Sequence, residues 1–258
     1  AKAVLGAELD LQLATEAVTA HDGAGFVIRW HDTQGNARAE RFAALLSATG
    51  RAPNLQDLGL EQAGFADADG PPAVDPQTMQ LGEAPIFLAG DVSNDRPLLH
   101  EAADEGRIAG GNAAAYPHVR AYARRVPLSI AFTDPNLAVV GTPFALLERD
   151  AAQIGCVSYE DQGRARVMGR NAGLVRIYAE REGGRLLGAE MFGPRVEHTA
   201  HLLAWAVQAR LTVEEALAMP FYHPVIEEGI RTALQDLAAR LELRPAVRPG
   251  DLECGPGV

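Results

Sequence analysis

The residues best suited to chemistry lie in the stretch PFYHPVIEEG, Pro220 to Gly229. His223 directly precedes Pro224, and Glu228 follows five positions after the histidine. Pro224 fits the first position of a helix, where its missing N–H is harmless, so His223 is expected at the N-cap. Glu228 then falls about one turn further on, within reach of one imidazole nitrogen. A carboxylate on one ring nitrogen fixes the tautomer and raises the basicity of the other, as a general acid or base near neutral pH requires. A plainer account also fits, in which Glu227 and Glu228 favour the positive end of a helix dipole and His223 only caps it. His198 and His201 form H-x-x-H beside Glu197, a spacing compatible with a metal, but no third ligand stands out and no metal is expected. Upstream, the apolar run IFLAG ends in Gly90-Asp91, where a glycine lets a backbone approach a ligand and a carboxylate stands at a strand end. The helix after it, from about Pro97 to Ala115, turns its free N–H groups toward whatever lies at Pro97, Leu98, Leu99 and His100.

These residues need elements to hold them. Residues 26–30, 38–42 and 45–49 read as strands of a meander around the turn-rich HDTQGN, with Gly50 in the turn that follows. Residues 53–81 are loop-like, and 86–89 read as an apolar strand. Beyond Arg125 the texture changes, and a boundary is placed there. LSIAFT and LAVVG form a hairpin through Asp134-Pro135-Asn136. Thr142-Pro143 fits a helix start. Strands at 154–159, 174–179 and 186–192 follow, the last two joined through Gly183-Gly184, which suits the positive φ angles of a tight turn. Three helices close the chain. One runs from Arg195 to Ala209, and one opens on the capping box begun by Thr212 and stops before Pro220. The last carries Ile226, Ile230, Leu234, Leu237 and Leu241 as an apolar stripe. The fold class is α+β with a mostly antiparallel sheet in the second half. Residues 244–258 read as a tail.

The 258 residues, 47% hydrophobic, allow one large domain or two smaller ones. A net charge of −11 without a gathered basic patch argues against a nucleic-acid or anionic-membrane partner. Cys156 and Cys254 lie too far apart for a metal-ligand spacing, and with no disulfide framework the cytosol is the expected compartment. No run has the length of a membrane span.

Five stretches occur in a telling order: LLSATGRAPN at 45–54, IFLAGD at 86–91, LLHEAADEGRIAG at 98–110, AFTDPNLAVVG at 131–141 and FYHPVIEE at 221–228. In this the chain resembles the C-terminal half of the class I pyridine nucleotide-disulfide oxidoreductases, dihydrolipoamide dehydrogenase and its relatives, as far as about Leu243. The resemblance implies FAD and NAD as cofactors. It implies that Gly50 lies close to NAD(H), that Asp91 beside Gly90 hydrogen-bonds the ribityl-phosphate part of FAD, and that Pro97, Leu98, Leu99 and His100 line the isoalloxazine. It makes His223 and Glu228 the base pair that serves a redox-active dithiol on the other subunit of a homodimer. The implied domains are the end of an NAD-binding domain over 1–50, part of an FAD-binding domain over 51–125, with Rossmann-like elements in both, and an interface domain over 126–243.

The chain also departs from the family. It carries neither G-x-G-x-x-G loop nor a Cys-x-x-x-x-Cys pair, elements of the family's N-terminal half. It is therefore expected to be a C-terminal piece, inactive alone, whose partners include that missing half and a lipoyl-bearing protein or small dithiol. Asn136 stands where a glutamate is common, and Phe221-Tyr222 where a further histidine is often found, which leaves the substrate open. Two other accounts remain: a non-catalytic dimerisation module, and a mercuric-reductase-like enzyme suggested by Cys254 in the tail. A dimer is expected through 126–243, built on the stripe of the last helix with Leu202, Leu203 and Trp205, burying roughly 2,000 Å² or more. Residues 1–120 are expected to be poorly ordered or dependent on another chain.

Overall fold

The computed structural model describes residues 2–12, 16–56, 58–65 and 73–243. The chain divides into two units, Ala1–Tyr122 and Ala123–Val258. Cys254 and the rest of the tail lie outside the described residues.

The first unit opens with the short helix α1 (Lys2–Leu5), followed by strands β1 (Ala17–His21), β2 (Phe26–His31) and β3 (Ala37–Phe42). The three form an antiparallel sheet in that order, with β1 added to the expected meander. In the β2–β3 turn the Asp32 carboxylate accepts the Gln34 and Asn36 N–H groups, both at 2.9 Å. Residues 45–49, expected as a strand, form none, and Leu46 stands 89% exposed with no neighbouring strand to take up its backbone. The expected strand at 86–89 is also absent. Its backbone makes only local bonds, from the Leu81 N–H to the Ile86 oxygen and from the Leu88 N–H to the Met79 oxygen, both at 2.9 Å. The run is apolar because Phe87 and Ala89 pack on Met79, Ile108 and Ala109, not because it lies within a sheet. Among the described residues of this unit no parallel strand pair forms. A 3-10 turn at Asp91–Ser93 leads to helix α2 (Leu99–Ala115), which begins two residues after Pro97 with Leu98 as its N-cap.

The second unit is built on a five-stranded antiparallel sheet of β4 (Leu128–Ala131), β5 (Asn136–Gly141), β6 (Ala152–Ser158), β7 (Leu174–Glu180) and β8 (Leu186–Gly193), in the order β4-β5-β8-β7-β6. Gly183 and Gly184 take φ of 76° and 63° in the β7–β8 turn, as their identity requires. Register puts Ala138 opposite Met191 and Val175 opposite the same Met191, so alternate residues of three strands share one buried face. Helices α4 (Val196–Gln208), α5 (Val213–Leu217) and α6 (Glu228–Arg240) supply the other side of this core. A short helix α3 (Gly163–Val167), not foreseen, lies between β6 and β7.

Three expectations are corrected here. Thr142 caps no α-helix; only a 3-10 turn forms at Phe144–Leu146, with Pro143 before it. His223 is not an N-cap: residues 221–227 form extended chain and turns, the His223–Pro224 bond is cis, and α6 begins at Glu228 with Glu227 as its cap. Before the helix the backbone closes in tighter turns, with the Gly229 N–H donating to the Ile226 oxygen and the Ile230 N–H to the Glu227 oxygen, both at 2.9 Å. Finally, Ile226, Ile230, Leu234 and Leu237 are buried within their own unit, as is Leu203, so the stripe of α6 is core rather than subunit interface. Leu202 and Trp205 remain exposed, Trp205 at 69%.

Candidate functional site

Helix α6 is docked hard against the sheet. Gly155 on β6 makes this possible, since a Cβ there would lie 2.5 Å from the Leu237 Cβ and 2.9 Å from the Leu237 amide nitrogen. The docking fixes Glu228, the first residue of the helix, and the turns before it bring His223 alongside. His223 Nδ1 and Glu228 Oε1 are 2.8 Å apart. The second carboxylate oxygen accepts the Val225 N–H at 3.1 Å. Both oxygens are thus committed, one to the ring and one to the backbone of the intervening turn. The hydrogen bond to His223 holds the Glu228 carboxyl below its ordinary range; burial is the main effect pushing the other way, and the Val225 N–H and the charges of His223 and Arg231 add to the lowering. An ionised carboxylate can only accept, so Nδ1 carries the proton and donates it toward Glu228, leaving Nε2 as the free base of a neutral ring. The His223 side chain is 80% exposed, so Nε2 is open to a group brought from outside the unit.

The other expected residues lie in the first unit. Gly90 has φ 82°, and a Cβ there would come to 3.3 Å from the Ala102 Cβ on α2, so the turn and the helix press together at a glycine. The Gly90 N–H donates to Glu105 Oε2 at 2.7 Å, and the Ser93 hydroxyl lies 3.4 Å from the same oxygen. Glu105 is fully buried. Asp91 is half exposed and ion-paired with Arg51, which brings the segment of Gly50 against the Gly90-Asp91 turn. Gly50 itself has φ 104° with open space where a Cβ would point, so its backbone and not crowding calls for glycine. Pro97 and His100 are exposed and Leu98 is half-buried, while Leu99 is 88% exposed at the start of α2, whose Leu98 N-cap provides no side-chain bond.

An uncapped start of a 17-residue helix, the exposed Leu99 upon it and the Asp91 carboxylate in a glycine turn suit a ligand with an apolar ring, negative charge at one edge and hydroxyls to donate. Asp91, the backbone at Gly90 and the 97–100 segment could hold a flavin of this kind. Arg51 and Glu105 were missed from sequence, although Glu105 stands among Leu98, Ala102 and Ala109 on the small apolar side of α2, where a carboxylate is out of place. His198 and His201 join no metal cluster: among the described residues no group of three His, Cys, Asp or Glu could hold a metal ion, and His201 Nδ1 is bonded to the Glu197 carbonyl oxygen at 2.7 Å.

Residues 127–234 match the family described as "Pyridine nucleotide-disulphide oxidoreductase, dimerisation domain". The second unit belongs to that family. The chain as a whole is similar to the C-terminal half of class I members. It is 30% identical to the dihydrolipoyl dehydrogenase of Haloferax volcanii over 82% of this chain and 45% of the relative. It is 32% identical to the mercuric reductase of Acidithiobacillus ferrooxidans over 78% of this chain and 36% of the relative. Among solved structures, LpdA from Mycobacterium tuberculosis matches with a TM-score of 0.69 at 27% identity, covering 86% of this chain and 48% of that one. The chain spans about half the length of these relatives or less. The α+β architecture, with its antiparallel dimerisation sheet, agrees with the fold of the family. No helix among the described residues is long and apolar enough to cross a membrane.

Proposed function

We propose that this chain supplies the acid–base pair, one edge of the flavin site and the subunit interface of an FAD-dependent disulfide/dithiol oxidoreductase that passes electrons between a dithiol such as dihydrolipoamide and NAD. The observation that carries the proposal is the 2.8 Å contact of His223 Nδ1 with Glu228 Oε1 on a ring that is 80% exposed. An imidazole oriented by a carboxylate and open to solvent on its other nitrogen takes a proton from a thiol as the thiolate becomes a nucleophile, and returns it when the thiol leaves. Glu228 keeps the tautomer and stabilises the imidazolium formed in between. FAD, when bound, supplies the two-electron acceptor chemistry between dithiol and NAD. Asp91 and the Gly90 backbone would hold its polyol, Pro97, Leu98, Leu99 and His100 would flank its ring, and Gly50 would leave room for the nicotinamide nucleotide. The reading places the protein in the cytoplasm.

The reading includes a homodimer. Leu202 and Trp205, three residues apart on α4, present large apolar side chains from one side of that helix. An exposed His223 has its chemical use where another subunit brings a cysteine pair to Nε2. The similarity to a mercuric reductase supports a second reading, an enzyme of that kind acting on a thiol-bound metal ion.

The test is His223→Gln in the protein that carries this chain together with its remaining segments. Turnover of dihydrolipoamide with NAD should fall about 10²-fold or more, with the flavin absorbance and the stoichiometry of bound flavin unchanged. Turnover within twofold of wild type would refute the acid–base role. Absence of flavin absorbance in the purified protein would favour the plain dimerisation module.

A further inference from the structure

We infer that Gln162 is a positioning residue for the His223–Glu228 pair, clamping the turn between the two to the start of α3. The inference rests on the acid–base reading for its purpose, but the clamp is visible in the geometry. Gln162 is 8% exposed, and both ends of its amide are used. Oε1 accepts the Ala165 N–H at 2.6 Å and so caps α3, while Nε2 donates to the Val225 carbonyl oxygen at 2.7 Å. Val225 passes the connection on through its own N–H, which donates to Glu228 Oε2, and Glu228 Oε1 meets His223 Nδ1. The peptide units at Val225 are thus held from one side by Gln162 and from the other by Glu228. An unbroken series of hydrogen bonds runs from the α3 backbone to the imidazole.

Such a series matters because His223 is otherwise unsupported. Its ring is exposed, and the flanking Tyr222 and Pro224 are exposed as well. Glu228 alone can fix the ring only as firmly as the turn carrying the ring is itself fixed. Remove the Gln162 donor and the Val225 carbonyl loses its partner. The turn can then swing about the start of α6, and the carboxylate must choose between following the Val225 N–H and keeping the ring. An amide suits this position because its oxygen accepts for the helix cap while its nitrogen, at the end of the same side chain, donates to the Val225 carbonyl. A serine at 162 would keep the cap and lose the reach to Val225.

The experiment compares Gln162→Ser with Gln162→Glu, which keeps the length and the acceptor but lacks the donor. Two quantities are read by NMR in the full-length protein: the exchange rate of the Val225 amide and the downfield Nδ1–H proton of His223. Either variant should raise Val225 exchange about fivefold or more relative to Ala233 in α6, as expected for the loss of one supporting hydrogen bond, and should broaden or remove the Nδ1–H resonance. A general loss of stability would raise both amides together and does not mimic this. If one variant fails to fold, the other decides. Unchanged Val225 exchange with the Nδ1–H signal intact in a folded variant overturns the clamp. The activity of His223→Gln reports separately on the acid–base reading: if that variant is fully active while Gln162→Ser still loosens Val225, the clamp stands and the acid–base reading falls.

Discussion

Replacing Gly155 by alanine should damage the second unit more than its single added methyl suggests. The new Cβ would sit 2.5 Å from the Leu237 Cβ and 2.9 Å from the Leu237 amide nitrogen, and it would press hardest on the Ala233 carbonyl oxygen. Ordinary carbon contacts begin near 3.5 Å, so α6 has to retreat from β6 by about 1 Å. Two of the three obstructing atoms belong to helix backbone, which cannot rotate aside as the end of a flexible side chain can. The retreat opens the layer of Ile230, Ala233, Leu234 and Leu237, all buried. Overpacking of this kind costs about 1–3 kcal/mol, and the rigid obstruction puts this site at the top of that range, about 3 kcal/mol. Because Glu228 heads the displaced helix, the 2.8 Å contact with His223 is strained as well. Urea unfolding followed by circular dichroism measures the cost. Gly163→Ala is the control, since a Cβ there meets nothing within 4 Å, and it should change stability by no more than about 0.5 kcal/mol. A loss below about 0.5 kcal/mol for Gly155→Ala would refute the close docking of α6 on β6.

Three further outcomes are expected. The carboxyl of Glu228 is held below its ordinary range, so its partners contribute stability in full above the unfolded value of about 4.3 and lose that contribution as pH falls through the lower folded value. The gap between wild type and Glu228→Gln in urea midpoint should therefore be flat above about pH 5.5 and shrink on acidification, and a gap independent of pH down to pH 3 would contradict this. Thr212→Ala removes the hydroxyl that accepts the Glu215 N–H in the α5 capping box and should cost about 1 kcal/mol in the same unfolding assay, a loss that Thr212→Ser restores. Trp205→Glu should shift the full-length protein from dimer to monomer in sedimentation velocity at micromolar concentration, whereas an unchanged dimer would move the interface away from α4.

The second unit was largely legible in its sequence. Strands β4 to β8 alternate or run apolar between turn residues whose chemistry is specific, and Gly183-Gly184 and Thr212 stand where the structure uses them. The first unit was less so. Residues 86–89 are apolar for the sake of a small cluster on α2, and apolar content alone cannot separate a strand from a packed loop. The start of α6 was misplaced because Pro224 suits a first helical turn as well as it suits the turn actually formed. The pairing of His223 with Glu228 survived that error, since five residues span the distance by either route. Gln162 gave no signal: its partner lies 63 positions away, and a glutamine before Gly-Arg-Ala reads as a surface residue. Arg51 was overlooked for a similar reason, its bond to Asp91 closing a gap of 40 positions that no local pattern announces.

The span of the Gln162–Val225 bond bears on the life of the chain before it is folded. His223 and Glu228 are near neighbours in sequence and can meet at small entropic cost in a chain that is still largely open. The bond from Gln162 spans 63 residues, with β7, β8, α4 and α5 between its ends, and its closure entropy is offset only as those elements pack together. A nascent or half-folded chain would carry the imidazole and its carboxylate without a fixed bearing, and so a poorly aimed base. On the acid–base reading, tying the alignment of the pair to completion of the unit would keep half-folded copies chemically quiet.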